Sequence, residues 1–169
     1  MTYDDAAWHS DGEGFPPEVG SEAGATHIGV FLAWAVLHDH VSAGLLADAA
    51  DDVAALRERA TTGGALVMAL DGALSEDHLD DVGNAFAAAY YTGAEDGAAE
   101  SEEDTADDEA GGLYLEDYVD AASPGDGEPE DVYRVPDSWE TYDLVAPLID
   151  ARFAQWDDDG RPAVLRHRT

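Results

Sequence analysis

The side chains that could carry chemistry in this chain are histidines and carboxylates. There are six His and thirty-nine Asp or Glu, no Cys, and the seven basic side chains are all Arg. Without Cys there is no thiolate nucleophile, disulfide, zinc finger or Fe–S cluster. Without Lys there is no Schiff-base amine and no P-loop lysine. No G-x-S-x-G, Walker A, G-x-G-x-x-G, H-E-x-x-H or EF-hand pattern is present. Histidines and carboxylates are the candidates that remain.

Two places bring such groups together. His38-Asp39-His40 is the densest cluster, but alternate residues on a helix point about 200° apart, so both imidazoles cannot grip one ion inside a helix. His27 and His38 share a helical stripe, yet they are about 16 Å apart along the axis and cannot share a metal. The other place is the N-terminal segment. If it folds over the helix that carries His27, His9 with Asp4 or Asp5 meets His27, and two imidazoles with a carboxylate are ligand types that suit zinc or iron. The competing reading makes His27 a hydrogen-bonded packing residue. Asn84 beside Gly83 is either a functional amide or a sign of tight packing. Trp8 and Trp34 are candidate binding aromatics, although Trp and Tyr serve cores more often than binding platforms.

These groups depend on the elements that carry them. The stretch THIGVFLAWAVLHDH, Thr26 to His40, has a ten-residue centre from Ile28 to Leu37 with no charge. It predicts a helix buried on nearly all sides, with Thr26 as N-cap, and it is too short to span a bilayer. Met1 to Val19 holds Tyr3, Trp8 and Phe15 before Pro16-Pro17, which predicts an extended arm lying on the core. Ser42 caps a helix running to about Arg59, packed as a hairpin on the central helix. Ala65 to Leu70 reads as two helical turns, Ser75 to Leu79 as a capped turn, and Asp80 or Asp81 starts a helix to Tyr91. Leu113 to Ala122 is amphipathic. Val132 to Val135 leans to strand. Asp137 or Ser138 caps a helix from Trp139 to Trp156, with a kink or break expected near Ala146 because of Pro147.

The expected fold is mainly α: a single globular helical domain of about six or seven helices with at most a short strand pair. It spans residues 1–157, with 94–112 a flexible acidic insertion and 158–169 a tail. The tail carries Arg161, Arg166, His167 and Arg168 and either folds back on the acidic body or stays disordered, the latter favoured.

The formal net charge is -32 at 45% hydrophobic residues. Such a surface repels nucleic acid and anionic membranes, so neither is an expected partner. Acids fall in nearly every polar window rather than in one patch. That argues against DNA mimicry and for solubility in concentrated salt, in the proteome style of halophilic archaea. No signal-peptide pattern or membrane span is evident, so the expected location is the cytoplasm.

Four segments, YDDAAWH (Tyr3–His9), EAGATHIGVFLAWAVL (Glu22–Leu37), GNAFAAAYY (Gly83–Tyr91) and SWETYDLVAPLIDARFAQW (Ser138–Trp156), together with LYLEDY (Leu113–Tyr118), form a joint pattern. It resembles a family of small bacterial and archaeal proteins classed as a domain of unknown function, in which Y-D-D-A-S-W-H precedes A-T-H-I-G-M-F-L-A-W. The resemblance covers most of the chain outside 94–112 and the residues after Trp156. It brings no established activity, and it implies small immunity-type or accessory proteins. The leading expectation is therefore a non-enzymatic, protein-interaction or regulatory module without a cofactor, with a protein partner. The alternative is a metal-dependent enzyme built on His9, His27 and a carboxylate.

Overall fold

The computed structural model describes residues 1–12, 15–93, 112–123 and 129–168. The acidic stretch 94–111 and residues 124–128 of the polar loop expected over Ser123 to Asp131 lie outside the described residues. The order is strand β1 (Thr2–Asp5), α1 (Ala6–Ser10), a 3-10 turn (Ser21–Ala25), α2 (Thr26–Leu37), α3 (Ala43–Asp48), α4 (Ala50–Arg57), α5 (Gly63–Ala69), β2 (Ala73–Ser75), a 3-10 turn (Glu76–His78), α6 (Asp81–Phe86), a π-helical segment (Ala87–Thr92), α7 (Leu113–Ala122), a 3-10 segment (Pro129–Arg134) and α8 (Trp139–Asp158). This is a single helical domain with, among the described residues, one two-stranded antiparallel sheet, β1 against β2.

Helix α2 is the centre. Every residue of it except Leu37 is buried, because its sequence offers no polar face to solvent. It packs on α5, α8 and α4. The α2–α5 contact is backbone against backbone: a Cβ on Gly29 would overlap Gly63 and Gly64, and one on Gly63 would overlap the Gly29 carbonyl. Only glycines permit that approach. On another side, Phe31 and Trp34 meet Phe86, and Trp34 and Phe86 meet Phe153 of α8 at ring-centroid distances of 5.1–6.1 Å. Trp34 is core, its indole N–H donating to Asp150 at 2.8 Å.

Several local expectations are corrected. Thr26 is the first helical residue, not the N-cap; the 3-10 turn runs straight into α2 and Ala25 holds the cap position without a side-chain bond. The Ser42-capped segment is two helices, since Ala49 leaves helical geometry at φ -120° and ψ 35°. Ser42 does cap the first, accepting from the Leu45 amide at 3.0 Å. Val132 to Arg134 is 3-10 helix, not strand. Pro147 does not break α8, which is continuous from Trp139 to Asp158 behind a Ser138 cap. Pro147 and Asp143, whose carbonyl loses its helical partner, both lie on the solvent face, where water can replace the lost bond. The N-terminal arm lies on the core but is ordered as strand and helix rather than as one extended segment.

Residues after Asp158 turn back along α8. Leu165 is buried and its amide donates to Ala89, while the Trp156 indole donates to the Pro162 carbonyl and Gln155 to that of Arg166. Among the described residues no helix is long and apolar enough to cross a membrane.

Candidate metal centre

Three elements deliver three side chains to one point. Strand β1 pairs Asp4 with Leu74 of β2 and turns Asp4 inward. Asp5 then caps α1, accepting from the Ala7 amide at 2.8 Å, so this second carboxylate is spent on the helix start. One and a half turns of α1 bring His9 round over Asp4. His27 enters from the first turn of α2. The approach of α1 to this end of α2 depends on Gly24, where a Cβ would sit 2.7 Å from the Ala6 carbonyl oxygen.

His9 and His27 converge. Their rings meet edge to face with centroids 4.6 Å apart. Nε2 of His9 is 2.7 Å from Asp4 Oδ1, and Nε2 of His27 is 3.1 Å from Asp4 Oδ2. Asp4, His9 and His27 each offer a ligand atom, all within 4.8 Å of one another. Tetrahedral ligands at about 2.1 Å from a zinc ion lie about 3.4 Å apart, so modest side-chain movement would seat an ion.

Burial grades across the group. His27 is 2% exposed and Asp4 9%, whereas the His9 side chain is 23% exposed and forms the solvent side. Next to it, Trp8 is 60% exposed, the Tyr133 ring packs near that of His9, and Phe15 packs on Tyr133. Burial alone pushes the Asp4 carboxyl up, but hydrogen bonds from His27 and His9, attraction to His27, and a further bond from Tyr91 outweigh it and hold the carboxyl well below the usual range. Burial lowers His27 more than Asp4 raises it, which keeps the ring neutral. An ionised carboxylate only accepts, so both Nε2 atoms carry the proton toward Asp4.

Two phenols hold this cluster from opposite ends, Tyr91 at Asp4 and Tyr133 at His9. The Tyr91 hydroxyl donates to Asp4 Oδ2 at 2.6 Å, and Tyr133 donates to Nδ1 of His9 at 3.0 Å. The Tyr114 hydroxyl fixes the His27 carbonyl. Nδ1 of His27 is buried without a hydrogen-bond partner among the described residues. Tyr91 is on the π-helical segment, whose wider turn sends Tyr90 to Asp117 and Tyr91 to Asp4. Such segments recur at functional sites.

The remaining candidates lie elsewhere. Asn84 donates to the carbonyls of Glu76 and Leu79 and accepts from the Tyr3 hydroxyl at 2.8 Å, tying the arm to α6. Gly83 packs on the His40 carbonyl. His38 pairs with Asp150 at 3.0 Å and His40 sits 3.8 Å from Asp80, so these two histidines go to different carboxylates. A groove of about 320 Å³ runs past Glu22, Thr26, Met68, Val135 and Asp137 and contains none of the three clustered residues.

Residue spacing could find His9, His27 and a nearby acid, but not Tyr91 or Tyr133. A plain α-helix to Tyr91 puts Tyr90, not Tyr91, on the core stripe. Residues 129–134 show no periodicity that aims Tyr133 at His9.

Residues 2–135 match the model of a family described as Domain of unknown function (DUF7832), and the chain belongs to that family. The matched residues include the segments with Asp4, His9, His27, Tyr91 and Tyr118; α8 lies beyond them. No curated protein and no solved structure matches the chain.

Proposed function

For this member of the family we propose a metal-dependent function centred on a mononuclear site of Asp4, His9 and His27. One observation carries the reading: two imidazoles and a carboxylate from β1, α1 and α2 converge, with ligand atoms within 4.8 Å. Their donor set suits zinc or ferrous iron. The electrostatics favour it as well. A neutral imidazole and an ionised carboxylate are the forms that bind metal, and burial and hydrogen bonding hold His27 and Asp4 in those forms. Tyr91 behind Asp4 and Tyr133 behind His9 are the outer partners that orient ligands in such sites.

Three protein ligands leave coordination positions for water and a substrate, the arrangement of catalytic rather than structural sites. The reading is therefore a metal-dependent enzyme, with access from the side of His9, Trp8 and Tyr133. In it, Asp4, His9 and His27 hold the metal, and the metal would activate a bound water or polarise a substrate oxygen.

The interaction-module reading draws support from Trp8, a large aromatic left 60% exposed. It ranks second because it gives no role to the three converging side chains. The evenly spread acid fits a salt-adapted, cytoplasmic setting for either reading.

Elemental analysis of protein purified without a polyhistidine tag separates the two readings. About one zinc or iron per chain supports the enzyme reading. Protein that carries no transition metal and takes none up from zinc or ferrous salts would overturn it.

A further inference from the structure

Two buried polar atoms beside the metal centre have no hydrogen-bond partner among the described residues: Nδ1 of His27 and the hydroxyl of Tyr118. Their rings are neighbours, with centroids 6.0 Å apart in an edge-on arrangement. His27 is 2% exposed and Tyr118 is fully buried. A buried polar group without a partner is costly, and two of them on adjoining rings point to a shared one. We infer that one buried water molecule joins Nδ1 of His27 to the hydroxyl of Tyr118, making Tyr118 the positioning residue for His27.

Such a partner also suits both tautomers of the ring. With Asp4 ionised, the His27 proton is on Nε2 and Nδ1 is an acceptor that needs a donor. When Nε2 binds a metal, which rests on the function proposed above, the ring stays neutral by carrying its proton on Nδ1, and that nitrogen then needs an acceptor. Water and a phenol hydroxyl each donate and accept, so one bridge serves both tautomers without rearranging any side chain. His9 already shows this arrangement, with the Tyr133 hydroxyl on its Nδ1. Tyr118 supplies the equivalent for the buried histidine, through a water because the two atoms do not bond directly. Burial pushes the Tyr118 hydroxyl well above the ordinary tyrosine range, so it stays protonated and available as a donor.

The test is Tyr118→Phe in the full chain, which removes one oxygen and leaves the ring. In metal-free protein a bridged hydroxyl predicts a fall in Tm of about 2–4 °C. A hydroxyl with no partner predicts no fall, or a rise, and would overturn the bridge. A crystal structure of the wild type should show a water within about 3.2 Å of both atoms; a dry site would equally overturn it. With zinc added, Tyr118→Phe should bind at least about 10-fold more weakly than wild type. The nitrogen NMR signals of His27 should report Nε2–H in metal-free and Nδ1–H in zinc-loaded protein. A purely structural role for Tyr118 would alter neither zinc affinity nor tautomer. If the wild type binds no zinc, the function proposed above fails, while the Tm shift and the crystal water still decide the bridge.

Discussion

Tyr91 and Asp4, separated by 87 positions in the chain, meet at 2.6 Å, the phenol donating to the carboxylate oxygen that also faces His27. The contact links the π-helical segment to the N-terminal strand and leaves Asp4 Oδ1 to His9 and the Asp5 amide. Tyr91→Phe removes this donor and nothing else. We predict a loss of about 1–2 kcal/mol in stability and zinc binding about 10-fold weaker, read by thermal denaturation and by titration of the same preparation.

Gly29 and Gly63 set the distance between α2 and α5. Gly29→Ala places a methyl group against the backbone of Gly63 and Gly64, where no side chain can rotate away. The expected cost is about 3 kcal/mol, or a drop of about 6–12 °C in Tm. Alanine at exposed Gly160 is a control for the methyl group alone only in part, since that residue has φ +83°; Ala55→Gly in α4 supplies the reverse comparison.

Arg152 grips Asp117 with two bonds of 2.7 and 2.8 Å, and Tyr90 donates to the same carboxylate at 2.9 Å. Asp117 is buried. Arg152→Met strands that charge, with an expected loss of about 2–4 kcal/mol. Adding Asp117→Leu should recover much of it, because the cost lies in the unpaired carboxylate rather than in the absent ion pair. A double-mutant cycle in chemical denaturation measures the recovery.

His78 gives stability a pH dependence of its own. Its Nδ1 accepts the Ser75 amide at 3.2 Å in a capping box. Burial lowers its pKa from the ordinary value of 6.5, more than Asp77 raises it. The folded state therefore takes up its proton at lower pH than the unfolded state. Stability is intact above pH 6.5 and falls as pH drops from there through the folded pKa. His78→Asn keeps an acceptor and does not titrate. Between pH 7.5 and pH 5 the wild type should lose more Tm than the variant; parallel curves would contradict this.

The fold was legible where one physical term dominates. The uncharged run in α2 has no polar face, so burial on all sides follows. Ser42 and Ser138 are followed by helical patterns and do cap them. What stayed hidden depends on long-range contact. Thr2 to Asp5 is too short and too acidic to read as strand, and pairing with β2 makes it one. The convergence of His9 and His27 was open in the sequence as one of two arrangements; Gly24, which admits α1 against the start of α2, decides it. Tyr91 was out of reach because nothing in AAAYYT announces a π turn. Arg152 and Asp117 lie 35 positions apart, on helices whose relative placement no local pattern specifies.

The most direct measurement is a calorimetric titration of zinc into chelator-stripped protein, beside Asp4→Asn and His27→Gln. It should be run in concentrated potassium chloride, because a chain with a formal charge of -32 collects divalent cations over its whole surface and salt screens that background. One saturable site per wild-type chain is expected, persisting in high salt and lost or weakened at least about 100-fold in both variants. Zinc uptake that disappears with salt, or that is the same in wild type and variants, would contradict a metal centre at Asp4, His9 and His27.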